Sequence, residues 1–215
     1  VQGYDSASGS KPLLATIVLY EGFELLDAFG PAEFLGLSGQ LQVQTAGLRT
    51  GAVSSSCPSV SGQSNLLLEE VGETDILLVP GGIGSRTEVK NTQLIAQLHR
   101  LSELARYVCS VCTGAALLAK TGLLDGCRAT TNKRAFDWVV QQRPEVCWIP
   151  AARWVEDGRF FTSSGVSAGM DMTIALLERA FGSEVSARCV SFAEYVPNQD
   201  PDNDPFARQP MKEEL

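Results

Sequence analysis

"YVCSVCTGAALLAKTG" (Tyr107–Gly122) holds an apolar run, two cysteines three apart, two small residues and a second apolar run closed by a glycine. The first run reads as a strand over 106–111. The second reads as a helix over 113–122 with Gly122 as its stop. A strand that passes into a helix within two residues belongs to an α/β arrangement. It also settles how the two cysteines relate. Cys109 falls inside the strand and Cys112 just past its end. Three extended residues span about 10 Å, whereas a disulfide needs Cα atoms roughly 4.4–6.8 Å apart. A redox pair sits at a helix start with both cysteines in the turn, and a metal site needs a second ligand cluster. The single histidine, His99, lies in a helical stretch with no such cluster beside it.

Cys112 occupies the geometry of a nucleophile elbow, a sharp turn from strand to helix that exposes the side chain. Thr113 and Gly114 are small enough to let the helix close on the strand. Amides at a helix start favour a thiolate and lower a thiol pKa. The competing reading is a buried structural cysteine. Position alone leaves both standing.

The pattern continues in both directions. "PLLATIVLY" (12–20) is a buried strand, "PAEFLGLSG" (31–39) a helix with Pro31 in its first turn, and "LQVQTAG" (41–47) an alternating strand. The Ser- and Gly-rich stretch 49–68 reads as short strands and turns. "TDILLVPGG" (74–82) is a buried strand stopped by Pro-Gly-Gly, and "TQLIAQLHRLSELA" (92–105) has the apolar face of a helix. Beyond the elbow come a short strand (127–131), a helix (133–142), a strand (146–150), and a hairpin (153–164) turning at Asp157-Gly158. Two helices (167–182 and 183–196) follow, and the chain past Pro197 reads as extended. Strands alternating with helices predict a three-layer α/β sandwich on a mostly parallel sheet, as one domain over 12–196 with tails at 1–11 and 197–215. The opening "VQGYDSASGS" reads as a flexible lead, and the closing "KEEL" as a solvated acidic tail rather than a retention signal.

With 215 residues the chain can build one full core, and its 44% apolar and 20% charged residues are ordinary for a soluble globular protein. A net charge of −8 without a Lys/Arg cluster argues against a nucleic-acid surface. No apolar stretch of about 18 residues predicts a membrane span. Six cysteines scattered through apolar contexts suggest reduced thiols. Together with the absence of a secretory signal, they predict a cytoplasmic protein.

In such sheets the ligand crevice lies beyond the carboxyl ends of the strands. Gly81, Gly82 and Ile83 follow one strand, and amides at the glycines are candidates for stabilising developing negative charge; the alternative is a tight strand exit. Ser164 and Gly165 end another strand in the same crevice. Trp138, Trp148 and Trp154 read as core or interface, and His99 as a surface residue.

Four motifs in order over 13–196 resemble the ThiJ/PfpI superfamily and, within it, the isocyanide (isonitrile) hydratase branch: "GFELLDAFGPAEFL", "VPGGIG", "SVCTGAALLAKTGLLDGCRATTN" and "DGRFFTSSGVSAGMDMTIALLE". The resemblance implies a flavodoxin-like, class I glutamine amidotransferase-like domain that forms a homodimer. It implies Cys112 as nucleophile, Asp27 as the acidic partner and Thr113 beside the thiol. Two departures count. PfpI-type peptidases carry His directly after the cysteine, where this chain has Thr113. The glyoxalase and deglycase members, and often the hydratases, carry a downstream His where this chain has Asn132. Histidine-dependent protease and glyoxalase chemistry is thereby disfavoured. The resemblance implies hydration of an isocyanide to an N-formamide through a covalent thioimidate, with no metal or organic cofactor and no partner beyond the small-molecule substrate and a second copy. Asp27, flanked by apolar residues, would be desolvated and its pKa raised toward acid catalysis; the alternative is a helix N-cap. The alternatives are another cysteine enzyme acting on a carbonyl or related electrophile, and a redox-responsive or ligand-sensing domain without catalysis.

Overall fold

The computed structural model describes residues 12–57 and 59–207. The lead at 1–11 and the closing KEEL lie outside the described residues. The chain builds β1 (Leu13–Val18), α1 (Leu25–Leu37), β2 (Leu41–Gly47), β3 (Gly51–Ser54), β4 (Ser61–Ser64), β5 (Leu66–Leu67), β6 (Ile76–Val79), a single-turn α2 (Ser85–Glu88) and α3 (Thr92–Leu104). It continues with β7 (Tyr107–Val111), α4 (Gly114–Lys120), β8 (Arg128–Ala129), α5 (Phe136–Gln142), β9 (Cys147–Trp148), β10 (Trp154–Asp157), β11 (Phe160–Ser163), α6 (Ala168–Phe181) and α7 (Ser183–Phe192).

Seven strands form one sheet in the order β10-β11-β7-β6-β1-β2-β5, every neighbouring pair parallel except the β10–β11 hairpin. Helices α1, α6 and α7 pack together on one face, and α3, α4 and α5 with the short α2 on the other. The central strands β6 and β7 are buried along their whole length. That is why both read as unbroken apolar runs rather than alternating ones. This is the expected flavodoxin-like sandwich with a mostly parallel sheet. No described helix is long and apolar enough to cross a membrane.

The strand order reverses at β1. From β1 the chain moves outward through β2 and β5, then returns to place β6 on β1's other side. A crevice opens at such a reversal, beyond the strands' carboxyl ends. The turns after β1, β6 and β7 meet there.

Two expectations change. Helix α1 begins at Leu25, six residues before Pro31, which lies inside it. Proline lacks the N–H that would bond the Asp27 carbonyl, but the helix forms because its buried face, including Ala28, Phe34 and Leu35, packs into the core. Asp27 therefore sits in the first turn, and Glu24 is the capping residue.

The chain past Pro197 has no helix or strand among its described residues, yet it is anchored. The Pro201 carbonyl accepts the Arg153 N–H (2.7 Å). Asp204 and the Arg153 guanidinium are both buried, 3.9 Å apart, and Arg153 also pairs with the buried Asp171 (2.6 Å). Buried Lys133 donates to Thr130 Oγ1 (2.8 Å) and the Ala152 carbonyl (2.5 Å).

Candidate active site

Cys112 follows β7 directly and has φ +57°, the left-handed region that a residue with a side chain rarely enters. The turn is pinned from both sides. Its N–H lies 3.2 Å from both the Ser163 and Ser164 carbonyls. Its carbonyl accepts from Thr131 Oγ1 (2.7 Å). The sequence reading of an elbow between strand and helix describes what the chain does. Val166 is the second residue with a side chain in the left-handed region at this site, at φ +47°. For a β-branched residue that conformation is an outlier.

The sulfur is ringed by donors. The Thr113 N–H, the Asn132 side chain and the Val166 N–H all stabilise its charged form. Asn132 Oδ1 accepts the Ala135 N–H (3.0 Å), which turns Nδ2 toward the thiol. Gly165 makes room for it: a Cβ there would stand 2.3 Å from Asn132 Nδ2.

Asp27 reaches the same point from α1. Its carboxyl is fully buried and interacts with the Cys112 thiol. Oδ2 accepts the Gly81 N–H (3.0 Å), while Oδ1 has no partner in hydrogen-bond geometry. Burial pushes this carboxyl up to about 7 from 3.8; the Gly81 N–H and the thiol oppose the rise, and Glu24 adds to it. The thiol, too, is held well above its ordinary value, first by burial and then by Asp27; its three donors pull the other way without cancelling those effects. The helix-start lowering expected from sequence is outweighed. Each group resists the other's charge, so the pair gives up one proton near neutrality and holds the second to strongly alkaline pH.

The remaining sequence candidates divide. The Gly81 N–H serves Asp27, and the Gly82 N–H serves Thr113 Oγ1 (3.0 Å). Neither amide is free to bind developing charge, which corrects the expectation for both. Gly81 is a close-packing glycine: a Cβ would meet Thr113 N at 2.6 Å and Asp27 Oδ2 at 2.9 Å. The Thr113 hydroxyl, engaged with Gly82 and Ser85, braces the 82–85 loop; its backbone N–H is the part that faces sulfur. Ser164 is buried and supports the elbow through its carbonyl. Ile83 is 69% exposed on the cleft wall.

The cleft above the sulfur has a volume of about 470 Å³. Its walls include residues the sequence reading did not single out: Val166, Glu24, Arg86 and Arg134. Glu24 accepts from Ser56 Oγ (2.6 Å), which lines the same side. Trp138 is half-buried with the Arg86 guanidinium 3.6 Å above its ring centre, so it lies closer to the site than expected. Trp154 is core, as read. His99 is exposed on α3.

The model of the DJ-1/PfpI family matches residues 14–179. An isonitrile hydratase from Pseudomonas putida is 31% identical over 84% of this chain and 77% of its own length. Protein DJ-1alpha of Drosophila melanogaster is 27% identical over 80% of this chain and 79% of that protein. Among solved structures, a ThiJ/PfpI family protein from Pseudomonas syringae superposes with a TM-score of 0.79 at 22% identity, covering 87% of this chain and 77% of that one. At that identity the likeness speaks for the fold.

Proposed function

This chain belongs to the DJ-1/PfpI family, and we propose that it hydrates a small isocyanide to an N-formamide with Cys112 as nucleophile and Asp27 as its acid. The observation that carries this is a buried carboxyl, raised to about 7, set against a thiol on a strained elbow. The similarity to an isonitrile hydratase supports the choice of reaction.

After loss of the first proton, the remaining one sits on either sulfur or carboxyl. Three donors surround the sulfur, against one N–H at the carboxyl. With the proton on Asp27 its charge no longer opposes the sulfur's, and the donor ring then favours thiolate beside carboxylic acid. Oδ1, with no other partner, is then free to carry the proton. The thiolate attacks the terminal carbon of R–N≡C. An S–C bond forms and the Asp27 proton passes to that same carbon, giving a thioimidate, R–N=CH–S–Cys. Water adds to this carbon, one of its protons goes to nitrogen, and the other returns to Asp27 as the C–S bond breaks. The products are R–NH–CHO and the starting pair. The sequence needs no metal or organic cofactor. Thr113, Asn132 and Val166 hold the sulfur's charge before attack and after release.

The same donors suit a second reading, attack on a carbonyl, because an oxyanion formed beside the sulfur meets the Val166 and Thr113 amides. One panel separates the two. Purified protein is offered small isocyanides and small aldehydes, with formamide and aldehyde loss followed. Formamide production by the wild type, lost in Asp27→Asn with the fold intact by circular dichroism, is the expected result. Aldehyde consumption without formamide would move the assignment to carbonyl chemistry. The homodimer is part of the same proposal, with a light-scattering mass near twice 23.1 kDa as its mark.

A further inference from the structure

Arg86 and Arg134 line the cleft over Cys112, and both are exposed. The chain carries 25 acidic residues against 17 Lys and Arg, so carboxylates are in excess. Arg49, Arg143, Arg153, Arg159 and Arg179 each pair with one. Among the described residues, neither cleft arginine does. The Arg86 guanidinium carbon lies over the Trp138 ring, 3.6 Å from its centre, a contact to the ring face that uses none of its N–H groups on a carboxylate. Arg134 follows two residues after Asn132, whose side chain faces the sulfur. The two arginines share one wall, because Arg134 leads into α5 and Trp138 lies on it. Among the described residues that line the cleft, Glu24 is the one carboxylate, and it accepts a hydrogen bond from Ser56.

We infer that this wall binds the anionic end of the substrate, which is a small carbon electrophile carrying a carboxylate a few bonds from the reacting carbon. The inference deepens the proposed reaction and rests on the same cleft. A planar guanidinium takes a carboxylate by two parallel hydrogen bonds. Two of them on one wall orient the substrate as well as attract it. Glu24 and the single negative charge of the Cys112–Asp27 pair disfavour an anion held next to them rather than at the arginines. The electrophilic carbon is thereby left facing sulfur.

Two alkylating reagents test the wall without assuming any natural reaction. Iodoacetate and iodoacetamide both form an S–C bond and expel iodide; one is anionic and the other neutral. The ratio of their rates at Cys112, measured by mass spectrometry on the intact protein, is compared with that of free N-acetylcysteine. At low salt the ratio at Cys112 should exceed the free-thiol ratio by about tenfold, as a cationic cleft wall concentrates anions. It should fall back in the double variant Arg86→Gln, Arg134→Gln and with added salt. Arg134→Lys should keep part of it. A ratio at or below that of the free thiol, or one unmoved in the double variant, overturns the inference. A second comparison sets an isocyanide carboxylate against its methyl ester. Selective labelling by iodoacetate without hydration of either would retain the anion wall and remove the hydratase reading. Hydration of both with equal kcat/KM, and no labelling preference, would do the reverse.

Discussion

Cys109 and Cys112 are three residues apart, both buried, and burial raises both thiols well above their ordinary value. For Cys109 that is the whole account. It lies in the middle of β7, between β6 and β11, with its thiol in the core. Cys112 shares the burial but ends the strand. There the backbone turns through a left-handed residue, and the sulfur meets the amides of Thr113 and Val166, the Asn132 side chain and the Asp27 carboxyl. Burial by itself makes a thiol inert. Burial with a donor ring and a buried acid makes a pair that exchanges one proton near neutral pH. The strand's end supplies that difference, because only there do loops from several strands converge.

The widest gap between the two positions is in activity. Cys112→Ala should lower formamide production by about a thousandfold or more, since the covalent route is lost. Cys109→Ala should change it by less than about threefold while costing roughly 1–2 kcal/mol of stability through the small cavity it leaves. Parallel assays with urea melts check both, and equal losses of activity would dissolve the distinction.

A smaller effect probes the acid. Asp27 ionises near 3.8 when unfolded, whereas in the fold its pair with Cys112 holds both protons up to about 7. Between those values the folded state carries the extra proton, so its stability declines as pH rises from about 4 to about 7 and then levels off. Asn at this position does not titrate. Asp27→Asn should therefore be more stable than wild type above pH 7, by about 4 kcal/mol or roughly ten degrees in Tm. The gain should shrink on acidification and vanish below about pH 4. Thermal melts across pH read this directly, and a variant less stable than wild type at pH 8 would mean that the fold bears the pair's negative charge without cost.

Much of this was legible in the sequence, for local reasons. Buried parallel strands leave unbroken apolar runs, as in 74–80 and 106–111, and a strand that meets a helix at Cys112 forces an elbow. What escaped depends on partners far along the chain. Whether the Gly81 and Gly82 amides are free is decided by Asp27, 54 residues earlier, and Thr113, 31 residues later. Nothing local marks Val166 as left-handed, since valine disfavours that conformation. Pro31 read as a helix start because proline is common there, but packing carried α1 through it. Arg86 and Arg134 are not marked locally, because an unpaired arginine is visible only once the carboxylates around it are placed in space.

The central claim is that Asp27 and Cys112 hold one proton between them at neutral pH, with the negative charge on sulfur. The ultraviolet absorbance of a thiolate, taken as wild type minus Cys112→Ala across a pH titration, measures it. A thiolate band rising with a midpoint near 7 is the expected result, the pair losing its first proton there. A band absent until strongly alkaline pH would show that the first proton leaves Asp27 alone, and would contradict its role as the acid.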